Sequence, residues 1–200
     1  MVKKYVVTIT RQFGSMGRPI AREMSEKLGI EYYDRDIVDI ISQKMNLPVS
    51  TISQLEEKYH EPSLFNMVFP LGFSTTQKQH QIFDVQTKII NDMADKESCI
   101  IVGRCSDYIM YDRPRHLNIF IYSSYENRLK NCIERLGMEE DEAKKMIMEV
   151  DKARENYHRR FANNTLPSDI KYKDIMIDSA VYGIEGTAEY LVDAVRKKFY

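Results

Sequence analysis

The sequence predicts an α/β fold of three layers, with a central parallel sheet covered by helices on both faces. Three observations carry this reading. Apolar strand-like runs alternate with helical patterns along the 200 residues. The runs "YVVTI", "SCIIVG" and "LNIFIY" are continuous rather than alternating, the mark of strands buried on both faces. The first run passes through a glycine-bearing turn straight into a helical pattern, as a strand–helix–strand unit requires. Such a sheet binds ligands at the carboxyl ends of its strands.

Taken in order, "YVVTI" is the first strand, and Ile20, Ala21, Met24 and Leu28 then fall at helical spacing. Pro19 is acceptable in a first helical turn, and Gly29 ends the helix. "IEYY" is a short strand candidate, and "DRDIVDIISQKM" restarts a helix with acidic residues in its first turn. Residues 46–79 read as a loop or short-helix insertion, with "HEPSLFNMVFPLGFSTTQ" holding prolines, a glycine and several aromatics. Ile82, Val85, Ile89, Ile90 and Met93 form one helical face, followed by "SCIIVG" and "LNIFIY" as strands. "SYENRLKNCIERLG" and "MEEDEAKKMIMEVDKARENYHRRF" are helices, "DIMID" is a strand, and "GIEGTAEYLVDAVRKKF" is a closing helix.

Composition narrows the function. With 43% hydrophobic residues the chain can bury one substantial core, and a net charge of −1 gives no global attraction to nucleic acid or an anionic membrane. Any phosphate chemistry must come from local clusters. Three cysteines, Cys99, Cys105 and Cys132, are odd in number and lack metal-ligand spacing, which predicts reduced thiols and a cytoplasmic protein. The apolar run near the start is too short for a signal or a spanning segment. His60, His80, His116 and His158 do not sit at metal spacing either, and read as surface or packing residues.

The turn "RQFGSMGRP" follows the first strand. A helix N-terminus there aims backbone N–H groups and the positive dipole end at one point. Gly14 and Gly17 let the backbone approach an anion, Ser15 offers a hydroxyl, and Arg18 a cation. A plain helix entry with two convenient glycines explains the same residues, and a dinucleotide loop fits less well because G-x-G-x-x-G is incomplete. Gly103-Arg104 lies directly after a second buried strand, and Arg128, Arg135, Arg154, Arg159 and Arg160 gather in the last third. Guanidinium forks match phosphate oxygens, so loop, strand end and late arginines together favour phosphate binding.

The segments "ITRQFGSMGRPIA", "YYDRDIV", "IIVGRCSDYIM" and "DIMIDSAVYGIE" resemble the cytidylate-kinase-like branch of the P-loop nucleoside monophosphate kinases. The resemblance implies a P-loop core domain, a monophosphate-binding insertion over residues 46–80, and an arginine-bearing lid over 137–162. It implies that Phe13, Gly14, Ser15, Met16, Gly17, Arg18 and Pro19 hold the ATP phosphates. It further implies that Arg104 meets the acceptor phosphate, that Arg128 faces the transferring phosphoryl, and that Asp151 and Arg154 reach in from the lid. Asp34 and Arg35 stand where the acceptor site begins. The chain departs from the pattern at several points: Arg18 replaces the loop lysine, and Pro19 and Ile20 supply no hydroxyl for Mg²⁺. Val102-Gly103 supply no carboxylate, and Ile40, Ile41 and Ile147 stand where arginines are expected.

The expected function is therefore transfer of the ATP γ-phosphoryl to a nucleoside monophosphate, by positioning and charge stabilisation. Mg²⁺ would arrive largely with ATP, helped by Asp107 or Ser15. The expected partners are small-molecule nucleotides, not nucleic acid or membrane. The rival is a nucleotide-binding module that senses without turnover; an oxidoreductase is disfavoured by the glycine pattern and the late arginines.

Overall fold

The computed structural model describes residues 4–34, 36–49 and 75–200. A first strand, β1 (Val6–Arg11), runs into α1 (Gly17–Leu28), and a three-residue β2 (Glu31–Tyr33) leads to α2 (Asp36–Met45). A long helix, α3 (Thr75–Lys96), precedes β3 (Cys99–Val102), the short α4 (Ser106–Ile109) and β4 (His116–Tyr122). Helices α5 (Tyr125–Glu134) and α6 (Glu140–Phe161) follow, then β5 (Ile175–Asp178) and α7 (Ser179–Phe199). The strands form one five-stranded sheet in the order β2-β3-β1-β4-β5, and every pairing is parallel. β1 is the centre, and the chain changes direction around it. The crevice at its carboxyl end is the topological switch point where such sheets bind ligands.

Strand side chains alternate between faces, and the core divides accordingly. Val7, Ile9, Ile100, Val102, Ile119 and Ile121 point to one face and pack on α1 and α7 through Ile20, Met24, Leu191 and Val195. Val6, Cys99 and Ile101 point to the other, against Ile37 and Ile41 of α2 and Ile82, Ile89 and Ile90 of α3. A third cluster joins Cys132 of α5 to Ala143 and Ile147 of α6, with Phe13 packed against it. Ile147 therefore closes a small core between two helices in place of a charge, and Ile41 is buried in the α2–α3 layer. Cys105 is buried as well.

Some boundaries differ from the sequence pattern. α3 begins at Thr75, whereas its apolar periodicity starts only at Ile82, because "TTQKQHQ" offers no apolar face. Of the predicted 46–80 insertion, residues 50–74 lie outside the described residues, and 75–80 belong to α3. α7 starts at Ser179, capped by the Asp178 carboxylate accepting from the Ala180 N–H at 2.9 Å. It breaks at Gly183, whose φ of 68° departs from helix, so the predicted start marks a kink. No described helix is long and apolar enough to cross a membrane.

Asp107 also departs from expectation. Its carboxylate is 1% exposed and forms an ion pair with Lys173, whose side chain is fully buried. It also stands 3.3 Å from Nε2 of His158 on α6. The carboxylate joins α4, α6 and the approach to β5, behind the wall of the cleft rather than in it. Burial pushes the Asp107 carboxyl up, but the His158 contact and the Lys173 charge outweigh it and hold the group below its ordinary value. A depressed carboxyl stabilises fully above its unfolded pKa and loses that contribution as pH falls through the folded value. Removing one member of a buried pair strands the other. Asp107→Asn should therefore cost about 3–5 kcal/mol in urea denaturation at neutral pH, and the loss relative to the parent should shrink on acidification. An unchanged midpoint at neutral pH would show that the pair contributes nothing.

Candidate functional site

The loop between β1 and α1 is held from outside. The Phe13 N–H donates to Oδ1 of Asp151 at 2.7 Å, and the Phe13 carbonyl accepts from Nη1 of Arg128 at 3.2 Å. Nδ2 of Asn131 donates to the Gly14 carbonyl at 2.9 Å, and the Ser179 hydroxyl donates to the Ser15 carbonyl at 2.8 Å. Helices α5, α6 and α7 thus each take part of the loop backbone. Gly14 has a φ of +77°, and a Cβ there would lie 2.7 Å from the Arg128 carbonyl; the glycine is required by α5 as much as by any ligand.

Fixing the carbonyls leaves the first-turn amides of α1. The N-cap of α1 is Met16, in the left-handed region with φ 58°, and it makes no side-chain cap hydrogen bond. No acidic residue stands in the first turn. By contrast α5 is capped by Ser124 and α7 by Asp178. The first N–H groups of a helix have no intrahelical partner, and with the dipole they favour an anion. Left-handed residues at Gly14 and Met16 curve the backbone into the concave form that receives one.

Four arginines, Arg11, Arg18, Arg104 and Arg154, line a cavity of about 360 Å³ beside this turn, with Thr10, Gly103, Glu149, Tyr157 and His158 among the other walls. Arg11 ends β1 and threads between two glycines. A Cβ on Gly17 would sit 2.8 Å from the Arg11 Cβ, and one on Gly103 would overlap the Arg11 guanidinium. Those two glycines make room for an arginine. Arg18 is turned toward Asp34, with Nε 2.5 Å from Oδ2, and Arg11 stands 3.8 Å from Oδ1 of the same carboxylate. Arg154 donates to the Arg11 carbonyl at 3.0 Å and lies 3.5 Å from Oδ1 of Asp151.

Burial, and after it crowding, acts on Arg11 and Arg154. Burial pushes the Arg11 guanidinium well below its ordinary value, with Arg154, Arg18 and Arg104 adding to the effect and Asp34 opposing it. Arg154 is pushed down to about 10, first by burial and then by Arg18 and Arg104, against Asp151 and Asp34. Arginine stays charged at neutral pH.

The structure brings Arg18, Arg104 and Arg154 together around one cavity, with Asp34 in contact with Arg18. It does not bring Arg128 there: its Nη1 is 2.5 Å from Oδ2 of Asp151, and the side chain is 11% exposed. Asp151 faces the loop backbone and Arg128 rather than open space. The Ser15 hydroxyl donates inward, to the carbonyls of Gln12 and Ile121 at 2.9 and 3.1 Å, and Pro19 is exposed on α1. Arg35 lies outside the described residues. Arg11 escaped the sequence reading, although its position, a charge directly after a buried apolar run, is the same signal that drew attention to Arg104. No group of three or more His, Cys, Asp or Glu side chains among the described residues could hold a metal ion. Asp34 and Asp151 are both engaged by arginines.

Several solved structures share this architecture. An uncharacterised protein from Eubacterium ventriosum superposes with a TM-score of 0.74 at 24% identity, over 98% of this chain and 99% of that one. A shikimate kinase from Bacteroides thetaiotaomicron superposes with a TM-score of 0.57 at 10% identity, over 96% and 98%. A gluconokinase from Sinorhizobium meliloti gives 0.51 at 11% identity, over 99% and 100%. At these identities the likeness establishes the P-loop kinase fold. No curated protein matches the chain in sequence. The model of the cytidylate kinase-like family, however, matches residues 6–181, a span that runs from β1 through the turn into α7 and takes in every arginine of the cavity. The chain belongs to the cytidylate kinase-like family.

Proposed function

We propose that this protein transfers the γ-phosphoryl group of ATP to a nucleoside monophosphate. The observation that carries the reading is the cavity lined by four arginines at the switch point, one of them Arg18 in the first turn of α1, a helix whose N-terminus has no side-chain cap. One polyphosphate and one phosphomonoester would add negative charge to a cavity lined by four arginines. In this reading the amides of Gly14 to Gly17 and the Arg18 side chain receive the donor phosphates. Arg104, from the far side of the cavity, receives the acceptor phosphate. Arg154 and Arg11, between them, face the charge that develops on the transferring group. Arg18 must leave Asp34 to do this, so the ion pair holds the guanidinium near its place of work.

Mg²⁺ chemistry would enter with ATP as its counterion. Residues 46–80 and 137–162 take the parts of acceptor-binding insertion and lid. A second reading, nucleotide binding without turnover, is favoured by two departures: Pro19 in place of a metal-binding hydroxyl, and a donor-side cation already forked to a carboxylate.

The test is incubation with Mg-ATP and a panel of acceptors, following ADP. The panel holds the nucleoside monophosphates and, because the fold is shared with a shikimate kinase and a gluconokinase, shikimate and gluconate. ADP formed with a monophosphate is expected; ADP formed only with shikimate or gluconate moves the acceptor class. ATP binding without any ADP selects the second reading.

The two cations should separate by ligand. A lost charge-assisted hydrogen bond costs roughly 1.5–3 kcal/mol. Arg18→Ala should weaken ATP binding by about 10–100-fold, and Arg18→Lys should retain part of it, keeping the charge without the fork. Arg104→Ala should weaken the monophosphate by a similar factor and spare ATP. Calorimetry on the three variants decides: unchanged ATP affinity in Arg18→Ala contradicts the phosphate-loop assignment, and a fall in ATP affinity in Arg104→Ala contradicts the acceptor assignment.

A further inference from the structure

We infer that Gln86 is a positioning residue for the acceptor side, fixing the backbone that carries Arg104 and tying it to α6 through Tyr157. The inference rests on the acceptor reading of Arg104 above and adds a residue to it. Gln86 sits in the middle of α3, fully buried in a layer of isoleucines. An amide in such a place is unfavourable unless both its ends are hydrogen-bonded. Both are. Nε2 donates to the Arg104 carbonyl at 2.9 Å, and Oε1 accepts from the Tyr157 hydroxyl at 3.1 Å. Only the NH₂ end can meet a carbonyl, so the Arg104 contact fixes the orientation of the amide.

The backbone it holds is an unfavourable one. Gly103, Arg104 and Cys105 take φ values of 75°, 62° and 52° in succession, and side-chain-bearing residues seldom adopt the left-handed region. Such conformations persist where the surroundings over-determine them, and they gather at ligand sites. The consequence here is definite: the strained turn aims Arg104 into the cavity, and the Gln86 amide secures the carbonyl of that same residue.

The other end of the amide reaches α6. Tyr157 stands one turn beyond Arg154, and its ring packs on Phe161 and Phe83 with centroids 4.8 and 6.3 Å away. The same helix carries Asp151, which holds the phosphate-loop backbone. One helix therefore touches the donor loop directly and the acceptor turn through Gln86. Seating of α6 and placement of Arg104 are linked by two hydrogen bonds.

Three variants separate the links. Gln86→Leu removes both bonds at nearly constant volume. Gln86→Glu keeps an acceptor for Tyr157 but sets a second oxygen against the Arg104 carbonyl. Tyr157→Phe keeps the ring contacts and removes the α6 link alone. Amide hydrogen exchange on the full chain should be roughly tenfold faster over residues 103–106 in both Gln86 variants, the factor that one net hydrogen bond supports, and unchanged over residues 12–16. With saturating Mg-ATP, the KM for CMP should rise roughly tenfold in both, while the KM for ATP holds. Tyr157→Phe should shift both readouts in the same direction by a smaller factor. Unchanged exchange at 103–106 in Gln86→Glu overturns the inference, as does a rise in the ATP KM equal to that for CMP. Should the parent form no ADP with CMP or any other monophosphate, the acceptor reading falls, and the exchange measurement still decides whether Gln86 holds the turn.

Discussion

Mutual repulsion among four guanidinium groups is the constraint around which the cleft is built. Arg11, Arg18, Arg104 and Arg154 come from the ends of β1 and β3, the first turn of α1 and the inner face of α6, and they share one cavity. Two carboxylates, Asp34 and Asp151, are placed to hold them. Asp34 sits against Arg18 and Arg11, Asp151 against Arg154 and Arg128. Burial raises the cost of the Arg11 and Arg154 charges and weakens the screening between them, while Arg18 is exposed. The cleft thus gathers like charge at the carboxyl edge of the sheet, next to the first turn of α1.

The same constraint explains features with no evident role in a ligand contact. Gly17 and Gly103 are glycines because the Arg11 side chain runs between them. Asp151 holds the loop, α5 and α6 with one carboxylate, so placement of the phosphate loop depends on where α6 lies. His158 on α6 meets Asp107, and Tyr157 meets Gln86. Asp151, Arg154, Tyr157 and His158 of α6 thus dock on the loop, the end of β1, α3 and α4 respectively.

Much of this was legible in the sequence, for physical reasons that can be named. Continuous apolar runs mark strands buried on both faces, and the three such runs are strands of the sheet; "DIMID" and "IEYY" are its two edges. The turn after β1 and the Gly-Arg pair after β3 were visible because a charge or a glycine directly after a buried strand has few reasons to be there. Pairings distant in the chain were not visible. Arg18 and Asp34 were each singled out, but nothing in their spacing shows that they pair. Nothing in the sequence sets Gln86 apart, and Asp107 reads as a helper of Mg²⁺; only burial reveals the partners that each has. The start of α3 was hidden because seven polar residues carry no periodicity. Gly14 was read as making room for an anion, whereas the Arg128 carbonyl also demands it.

The departures from the family pattern follow the same logic. Ile147 closes an apolar contact between α5 and α6, and Ile41 one between α2 and α3. Charge expected at those points is absent, while Arg11 stands at the floor of the cleft. The proposed function requires that phosphate bind among the arginines at the switch point. Thermal unfolding of the parent protein with ATP, against sodium chloride at matched ionic strength, tests this most directly. A ligand that binds only the native state stabilises it by mass action, about 2.7 kcal/mol at a hundredfold excess over its Kd. The account predicts a rise in Tm that grows with ATP concentration and is reproduced in part by pyrophosphate, with sodium chloride giving none of it. A Tm that moves equally with ATP and with sodium chloride, or with neither, would contradict it.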